Sequence, residues 1–230
     1  MRRKGYIIEE ITTYANMEKS FRKVLAGTHR KSTRVGKYLL AHKEEVIEKL
    51  TKQIADGSFR VKSYQEKDVP QAGKIRHIQV IPLRDRIATH AIMNVVDKHM
   101  KSQFIRTTSA SIQGRGMHDL MKYIQRDMQD DPLGTRYCYK FDIQKFYESI
   151  RPEYVMSCVR RIFKDEKLIS LLDGFVHMMP SGLGIGLRSS QGLGNLLLSV
   201  YLDHYLKENF GVRHYYRYCD DIVILGSTKA

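Results

Sequence analysis

The sequence predicts an α+β fold, because helix-like and strand-like patterns are mixed along the 230 residues without a regular βαβ rhythm. Apolar residues recur at helical spacing in 36–59 and 85–100. Alternating or β-branched residues mark 74–81, 136–143 and the two arms on either side of Asp220. No repeat, low-complexity tract or long linker interrupts these patterns, so we expect the chain to be compact.

The helices are predicted from apolar periodicity together with helix stop signals. The segment 36–59 carries apolar residues from Leu39 to Ile54 at helical spacing and ends at Asp56-Gly57, as expected of a helix C-terminus. The further predicted helices are 85–100, 118–129, 152–164, 166–178 and 190–208. Helices are therefore expected to flank the strands.

The charge of the chain is strongly positive and unevenly distributed. Lys and Arg number 39 against 25 Asp and Glu, which gives a formal net charge of +14. Residues 1–86 hold 20 basic and 10 acidic side chains, whereas the remainder holds 19 and 15. This balance favours a polyanionic partner such as nucleic acid. The alternative is that surface lysines only keep the protein in solution.

The cysteines and the N-terminus indicate a cytoplasmic location without membrane association. Cys138, Cys158 and Cys219 are odd in number and contain no C-x-x-C pair, so neither a disulfide framework nor a zinc site is indicated. Glu9 and Glu10 precede any apolar run, unlike in a signal peptide. No stretch approaches the roughly 20 apolar residues of a membrane span.

Three carboxylates lie at predicted strand ends. Asp220 and Asp221 are adjacent at the bend of the apolar hairpin YYRYCDDIVIL, and Asp142 ends the alternating strand before IQKFYESI. A lone Asp at such a position is more often a helix N-cap. If the strand of Asp142 lies beside the hairpin, the carboxylates converge, and their repulsion is costly unless cations bind. Carboxylate oxygens combined with substrate phosphates suit Mg²⁺.

An ordered series of four motifs resembles the motifs of reverse transcriptases. The motifs are GKIRHIQVIPLRDRIATHAI at 73–92, FDIQKFYESI at 141–150, GIGLRSSQGLGN at 184–195 and YCDD at 218–221. A lone Y-x-D-D arises often by chance, but four motifs in the expected order are specific. The resemblance implies an RNA-directed DNA polymerase, a nucleotidyltransferase. It also implies a right-hand polymerase fold with an antiparallel palm sheet flanked by helices.

The resemblance assigns metal-binding and catalytic roles to the aspartates. Asp142, Asp220 and Asp221 would be the ligands of two Mg²⁺ ions, for which Mn²⁺ can substitute, and the backbone carbonyl of Ile143 would help to hold the second ion. A pair of such ions stabilises the attacking and leaving oxygens of an in-line phosphoryl displacement.

The resemblance also assigns nucleotide contacts. Lys74 and Arg76 match cations that grip the triphosphate, and these residue types suit phosphate oxygens. Tyr147 falls where the family places an aromatic residue under the sugar, which excludes a 2′-hydroxyl. The alternative is that Phe146 and Tyr147 are both core residues.

The loop before the predicted helix 190–208 indicates a subtype. Ile185-Gly186 and Ser190-Gln191 replace the more common P-Q-G and S-P, and this pattern resembles reverse transcriptases of diversity-generating retroelements, which copy RNA with errors at adenines. Ile185, Gly186 and Gln191 are expected to contact the nucleotide. An Ile in place of an amide removes a hydrogen bond and leaves more of the selection to shape. The alternative is that Ile185 only packs.

Three further arginines are candidates for nucleic-acid contacts. Arg84 and Arg86 match template-backbone contacts, although an ion pair with Asp85 on the helix surface is a structural alternative. Arg115 lies in SIQGRGMHDLM, which resembles a glycine-rich segment of the diversity-generating group.

The family layout implies a division into fingers and palm. Fingers would comprise 1–87 and 151–184, and palm 88–150 and 185–230, with no thumb because the chain ends nine residues after Asp221. We therefore expect that the chain is a fragment or that another polypeptide supplies the missing part. On its own, the chain is expected to show weak processive synthesis or none.

The resemblance also implies partners and leaves alternatives open. The expected partners are template RNA, a primer, deoxynucleoside triphosphates and a small basic accessory protein, in a bacterial or phage-encoded system. The alternatives are a group II intron, retron or phage-defence reverse transcriptase, or an RNA-binding module without synthesis. A broken aspartate triad would indicate the last of these, and the triad is intact.

Overall fold

A computed structural model describes residues 3–71 and 73–229, except for the side chains of Thr28, Gln71 and Lys74. Within these residues the chain forms helices and two β-sheets. The helices are α1 (Ile7–Ile11), α2 (Tyr14–Leu25), α3 (Thr28–Ser32), α4 (Arg34–Ala41), α5 (Lys43–Ala55), α6 (Leu83–Met100), α7 (Met117–Asp130), α8 (Phe146–Ser149), α9 (Pro152–Ile162), α10 (Glu166–Val176) and α11 (Arg188–Leu198). The strands are β1 (Gln65–Gln71), β2 (Lys74–Val80), β3 (Thr108–Ser109), β4 (Tyr137–Asp142), β5 (His214–Tyr218) and β6 (Asp221–Gly226).

Helices α6, α7, α9 and α10 confirm the predicted segments to within two residues at each end. The prediction of one helix over 36–59 was wrong, because the chain forms α4 and α5 with a break at His42, whose φ and ψ are −111° and 31°. Both helices bury apolar residues in the same core, so the periodicity continues across the break. The predicted stop is confirmed at Gly57, which adopts a φ of 77° that glycine tolerates best.

The last predicted helix, 190–208, is helical but not α-helical throughout. Helix α11 ends at Leu198, and π-helical turns follow at Ser199–Asp203 and Tyr205–Asn209. Such turns are uncommon and often occur near functional sites. Periodicity over this length does not distinguish π-helical turns from an α-helix.

The larger sheet has the strand order β3-β5-β6-β4. Strands β4, β5 and β6 pair antiparallel, as predicted, whereas the short β3 adds a parallel edge beside β5. The smaller sheet is an antiparallel hairpin of β1 and β2. The sequence did not predict β1, because QEKDVPQ is polar and contains a proline.

The main apolar core is centred on α6, which packs against α1, α2 and α11. Its Ile87, Ala91 and Val96 side chains are fully buried, and burial of each large aliphatic side chain stabilises the fold by roughly 1.5–3 kcal/mol. A smaller cluster joins Leu120 of α7 to Tyr216 and Leu225 of the larger sheet. The larger sheet therefore has α7 on one face, while the segment from α11 to the π-helical turns lies on the other.

Candidate active site

The YCDD motif forms a tight hairpin between β5 and β6. Tyr218 pairs with Asp221, so Cys219 and Asp220 are the two loop residues. Cys219 has a φ of 55°, a positive value at the first loop position that two-residue hairpins of the primed type require. A positive φ at a residue other than glycine persists only when its surroundings hold it.

Asp142 lies next to this hairpin. It is the last residue of β4 and pairs directly with Asp221 across β4 and β6. Because paired residues on neighbouring strands project from the same face, the two carboxylates share one face at the end of the sheet, with Asp220 in the adjoining loop. The structure thus brings together the three aspartates that the sequence singled out.

The electrostatics of Asp220 reflect this proximity. Burial raises the pKa of its carboxyl, and the negative charges of Asp142 and Asp221 raise it further, while a backbone hydrogen bond and the charge of Arg76 oppose the rise. Neighbouring like charges disfavour ionisation, and a bound cation would offset their repulsion. Arg76 is exposed on β2, and it is the cation whose charge favours the ionised form of Asp220.

Lys140 provides the direct cation contact of Asp221. Its Nζ lies 3.5 Å from Asp221 Oδ1, and both side chains are more than half exposed. An exposed pair of this kind contributes about 0–1 kcal/mol. Lys140 can therefore be displaced from Asp221 at little cost.

The donor set fits Mg²⁺, although the described residues contain no group of three or more His, Cys, Asp or Glu already arranged around a metal position. The available oxygens are the three carboxylates and the carbonyl of Ile143. Magnesium is commonly held by one or two carboxylates and completes its shell with water and substrate phosphates. The pairing of Asp142 with Asp221, with Asp220 in the adjoining loop, brings like charges together and supports a cation here.

Tyr147 lies beside the YCDD loop. Burial raises the pKa of its phenol to about 12, with further contributions from Cys219 and Asp220, so the hydroxyl stays protonated. Its ring is 5.1 Å from that of Phe146. Phe146 belongs to the main core, whereas Tyr147 is only partly buried. A side chain at Gly194 of α11 would meet both rings, at 3.1 Å and 3.4 Å, so this glycine allows the rings to approach the helix.

The loop containing Ile185 is attached to β2 by a residue that sequence reasoning missed. The buried Gln79 accepts a hydrogen bond from the Ile185 N–H at 2.6 Å and donates its own N–H to the Ile185 carbonyl at 3.0 Å. Gly186 follows with a φ of 85°. Gln191 is exposed and accepts a hydrogen bond from Ser111 at 3.1 Å. The available signal in the sequence was Gln79 itself, a polar residue between the apolar Ile78 and Val80 at the end of a predicted strand.

The predicted cations have different surroundings. The side chain of Lys74 lies outside the described residues. Arg84 donates to Gln53 and lies 3.4 Å from Asp85, so the ion pair considered as an alternative is present. Arg115 donates to the carbonyl of Ile105 at 2.7 Å and braces the backbone there. Arg86 has no hydrogen-bond or ion-pair partner for its guanidinium among the described residues.

A buried ionic network that was not predicted from the sequence contacts the YCDD hairpin. Arg217 is fully buried and binds both carboxylate oxygens of Asp203 at 2.7 Å. Its remaining donor atom contacts Asn195 at 2.8 Å and the Cys219 carbonyl at 2.7 Å. Tyr215 also donates to Asp203, at 2.6 Å. Arg217 therefore fixes the loop residue that has the positive φ.

The other side of this network reaches the edge strand. Thr108 of β3 donates to Asp203 at 3.0 Å, and Asn195 donates to the Ala110 carbonyl at 3.0 Å. The Cys219 N–H contacts the Ser109 carbonyl at 3.3 Å. The hairpin loop is thus held by both its N–H and its carbonyl group.

Comparison with known proteins identifies the class of this fold and site. The model of the family described as "Reverse transcriptase (RNA-dependent DNA polymerase)" matches residues 62–230. The chain belongs to this family, which confirms the predicted polymerase fold class.

Individual relatives are distant. The chain is 21% identical over 173 residues to Protein YkfC of Escherichia coli (strain K12), a match covering 70% of this chain and 45% of that protein. It is 17% identical to chains in two solved structures, described as "Partial Cas6-RT-Cas1--Cas2 complex" and "Cas6-RT-Cas1--Cas2 complex", each with a TM-score of 0.46. These matches cover 97% of this chain and 38% and 24% of those chains. The chain thus spans less than half the length of these relatives.

The described helices include none that combines the length and the apolar character needed to cross a membrane.

Proposed function

We propose that the chain forms the catalytic core of an RNA-directed DNA polymerase, which adds deoxynucleotides to a primer on an RNA template. The observation that carries this proposal is the pairing of Asp142 with Asp221, with Asp220 in the adjoining loop. Family membership supports the same reaction. The substrates are then template RNA, a primer and deoxynucleoside triphosphates.

The aspartates and the Ile143 carbonyl are proposed to hold two Mg²⁺ ions, with Mn²⁺ as a substitute. When bound, such ions neutralise charge on the attacking and leaving oxygens of the phosphoryl transfer. The chain contributes by presenting two carboxylates at the sheet end and the third in a loop that Arg217 holds, and positioned charges of this kind reduce the reorganisation that the reaction requires. Burial raises the pKa of Asp220 and the charges of Asp142 and Asp221 raise it further, which supports the proposal that a cation binds among the carboxylates.

The nucleotide is proposed to lie between the β1–β2 hairpin and the YCDD loop. The charge of Arg76 acts on Asp220, which supports the proposal that Arg76 receives the triphosphate of a nucleotide bound at the acids. Lys74 is proposed to assist it. Tyr147 is proposed to pack under the sugar, since it is partly buried beside the loop. The segment from Ile185 and Gly186 to Gln191 would border the base.

The finer identity is also a proposal. We infer an error-prone enzyme of the diversity-generating type, in which Ile185 packs against the nucleotide and offers no side-chain hydrogen bond. A small basic accessory protein and template contacts by Arg84, Arg86 and Arg115 belong to the same proposal. The division into fingers and palm and the cytoplasmic location stay predictions of the sequence.

The test is primer extension with Mg²⁺ on an RNA template, using the chain and any longer natural polypeptide that contains it. The Asp220→Ala/Asp221→Ala variant should abolish synthesis, whereas Asp130→Ala, which removes an exposed acid of α7, should not. Errors concentrated opposite template adenine would support the diversity-generating subtype, and accurate synthesis would indicate another lineage. RNA binding without synthesis by any wild-type form would contradict the proposed polymerase and favour an RNA-binding module.

A further inference from the structure

A positively charged cavity of about 330 Å³ lies where the N-terminal helices meet the loop before α11. Its wall includes the cations Lys23, Arg30, Arg86 and Arg188 together with His90, and none of the described residues that line it is acidic. These residues come from α2, α3, α6 and the start of α11, so the fold rather than a local run of basic residues brings the charges together.

Most of the positive charge in this cavity is not neutralised. Arg188 forms an ion pair with Asp97 at 2.6 Å. One guanidinium nitrogen of Arg30 donates a hydrogen bond to the Val24 carbonyl at 2.9 Å. Among the described residues, Lys23, Arg30 and Arg86 have no acidic partner. Burial lowers the pKa of the Arg86 guanidinium, and the nearby charge of Arg30 lowers it further.

Two polar atoms in the wall are buried without a partner. They are His90 Nδ1 and Arg188 Nε, which contact no hydrogen-bonding group among the described residues. More than nine in ten buried polar groups in folded proteins have a partner, so two in one cavity wall need an explanation. Burial, with the charges of Arg188 and Lys23, lowers the pKa of His90 to about 4, so it is a neutral hydrogen-bonding group at pH 7.

The chemistry of the wall selects phosphate as the ligand class. Guanidinium groups bind phosphate oxygens through paired N–H donors. The cavity also borders the N-terminus of the eleven-residue helix α11, whose N-cap Leu187 provides no side-chain cap, and helix N-termini favour anions. A doubly charged or strand-borne phosphate would satisfy several unpaired donors at once.

We propose that this cavity is a phosphate-binding site, distinct from the aspartate site, that takes either a backbone phosphate of bound RNA or the phosphate of a free nucleotide. The phosphate site stands on the cavity alone, whereas the RNA source rests on the proposed function. Gly186 and Leu187 line the cavity, and the preceding Ile185 is held by Gln79. An occupied cavity would therefore steady the loop that is proposed to border the nucleotide.

The test compares Arg30→Gln/Arg86→Gln with Lys37→Gln/Lys49→Gln, a matched control that removes two charges from exposed helix positions. RNA binding is measured by fluorescence anisotropy between 50 mM and 200 mM salt. Each lost phosphate contact to a single strand should reduce the salt slope by about 0.7. In a second arm, inorganic phosphate and a deoxynucleoside triphosphate are titrated without metal while the His90 ring is followed by NMR.

A smaller RNA salt slope in the Arg30→Gln/Arg86→Gln variant alone would identify an RNA phosphate as the ligand. If inorganic phosphate or the triphosphate shifts the His90 ring resonances in wild type but not in the same variant, the ligand is the phosphate of a free nucleotide or ion. If neither arm separates this variant from its control, the proposal is overturned. Should Arg86→Gln fail to fold, Lys23→Gln/Arg30→Gln changes only exposed cavity cations and repeats both arms. Both arms remain readable in Asp220→Ala/Asp221→Ala, so failure of the polymerase and failure of this site are distinguishable.

Discussion

Arg217 and Arg86 both lie at positions withdrawn from solvent, but their charges have different surroundings. Arg217 is fully buried and is bound by Asp203, Asn195 and the Cys219 carbonyl. Arg86 is partly buried beside Arg30 and has no partner among the described residues. The first arrangement is complete within the chain, whereas the second leaves the Arg86 guanidinium available to the proposed phosphate.

Arg217 and Arg86 therefore represent two different roles of a charge that is withdrawn from solvent. A fully paired network costs desolvation but holds a strained hairpin loop in one geometry. A cluster of unpaired cations destabilises the empty protein and becomes favourable when an anion binds. The hairpin loop of the proposed active site is therefore held by contacts within the chain, whereas the cavity is proposed to gain its counter-charge from a bound phosphate.

The largest expected effect follows from breaking the paired network. Arg217→Ala leaves the Asp203 carboxylate buried without its partner, which should lower the free energy of unfolding by about 3–5 kcal/mol. Urea denaturation followed by circular dichroism measures it. The control is Arg213→Ala, since Arg213 is an exposed partner of Asp131 and should change stability by about 0–1 kcal/mol. Equal decreases in the free energy of unfolding in both variants would show that the buried network stabilises the fold no more than an exposed ion pair does.

A smaller effect is expected where a single side chain anchors the loop. Gln79→Leu removes the acceptor of the Ile185 N–H and leaves that group unpaired, which should cost about 1–3 kcal/mol of stability. The KM for the deoxynucleoside triphosphate should rise more than kcat falls, because the change acts on loop position and not on the aspartates. Steady-state primer extension separates the two constants. An unchanged KM would argue against a role of this loop in nucleotide binding.

The smallest and opposite effect is expected in the cavity. Arg86→Met removes one of several crowded cations, so the ligand-free protein should be unchanged or more stable by up to about 1 kcal/mol, in contrast to Arg217→Ala. Thermal unfolding at low salt, with and without inorganic phosphate, is the measurement. Wild-type protein should gain stability from phosphate and the variant should gain less. A large loss of stability in Arg86→Met without phosphate would place Arg86 among the structural arginines.

Local patterns were enough to predict most elements of the site. The arms around Asp220 and the strand ending at Asp142 carry strand-forming patterns in the sequence, and the family resemblance of the four motifs implied that they share one palm sheet. The break at His42 could not be predicted, because both helices bury one continuous apolar pattern. Strand β3 has two residues and exists only through its pairing with β5.

The supporting contacts were harder to predict because they join distant segments. Arg217 was visible as a lone charge in an apolar strand, but its partner Asp203 lies in a segment that sequence predicts as ordinary helix. Gln79 and Ile185 are likewise 106 residues apart. Partners of this kind depend on how helices pack against the sheet, which periodicity does not specify.

Together, Asp142, Asp220 and Asp221 are proposed to hold the catalytic divalent ions. The most direct measurement is a Mn²⁺ titration followed by electron paramagnetic resonance, with a deoxynucleoside triphosphate present, on wild type, Asp130→Ala and Asp142→Asn/Asp220→Asn/Asp221→Asn. We predict that the first two bind Mn²⁺ alike and that the triple variant loses the protein-bound signal. Equal binding by all three proteins would contradict the account.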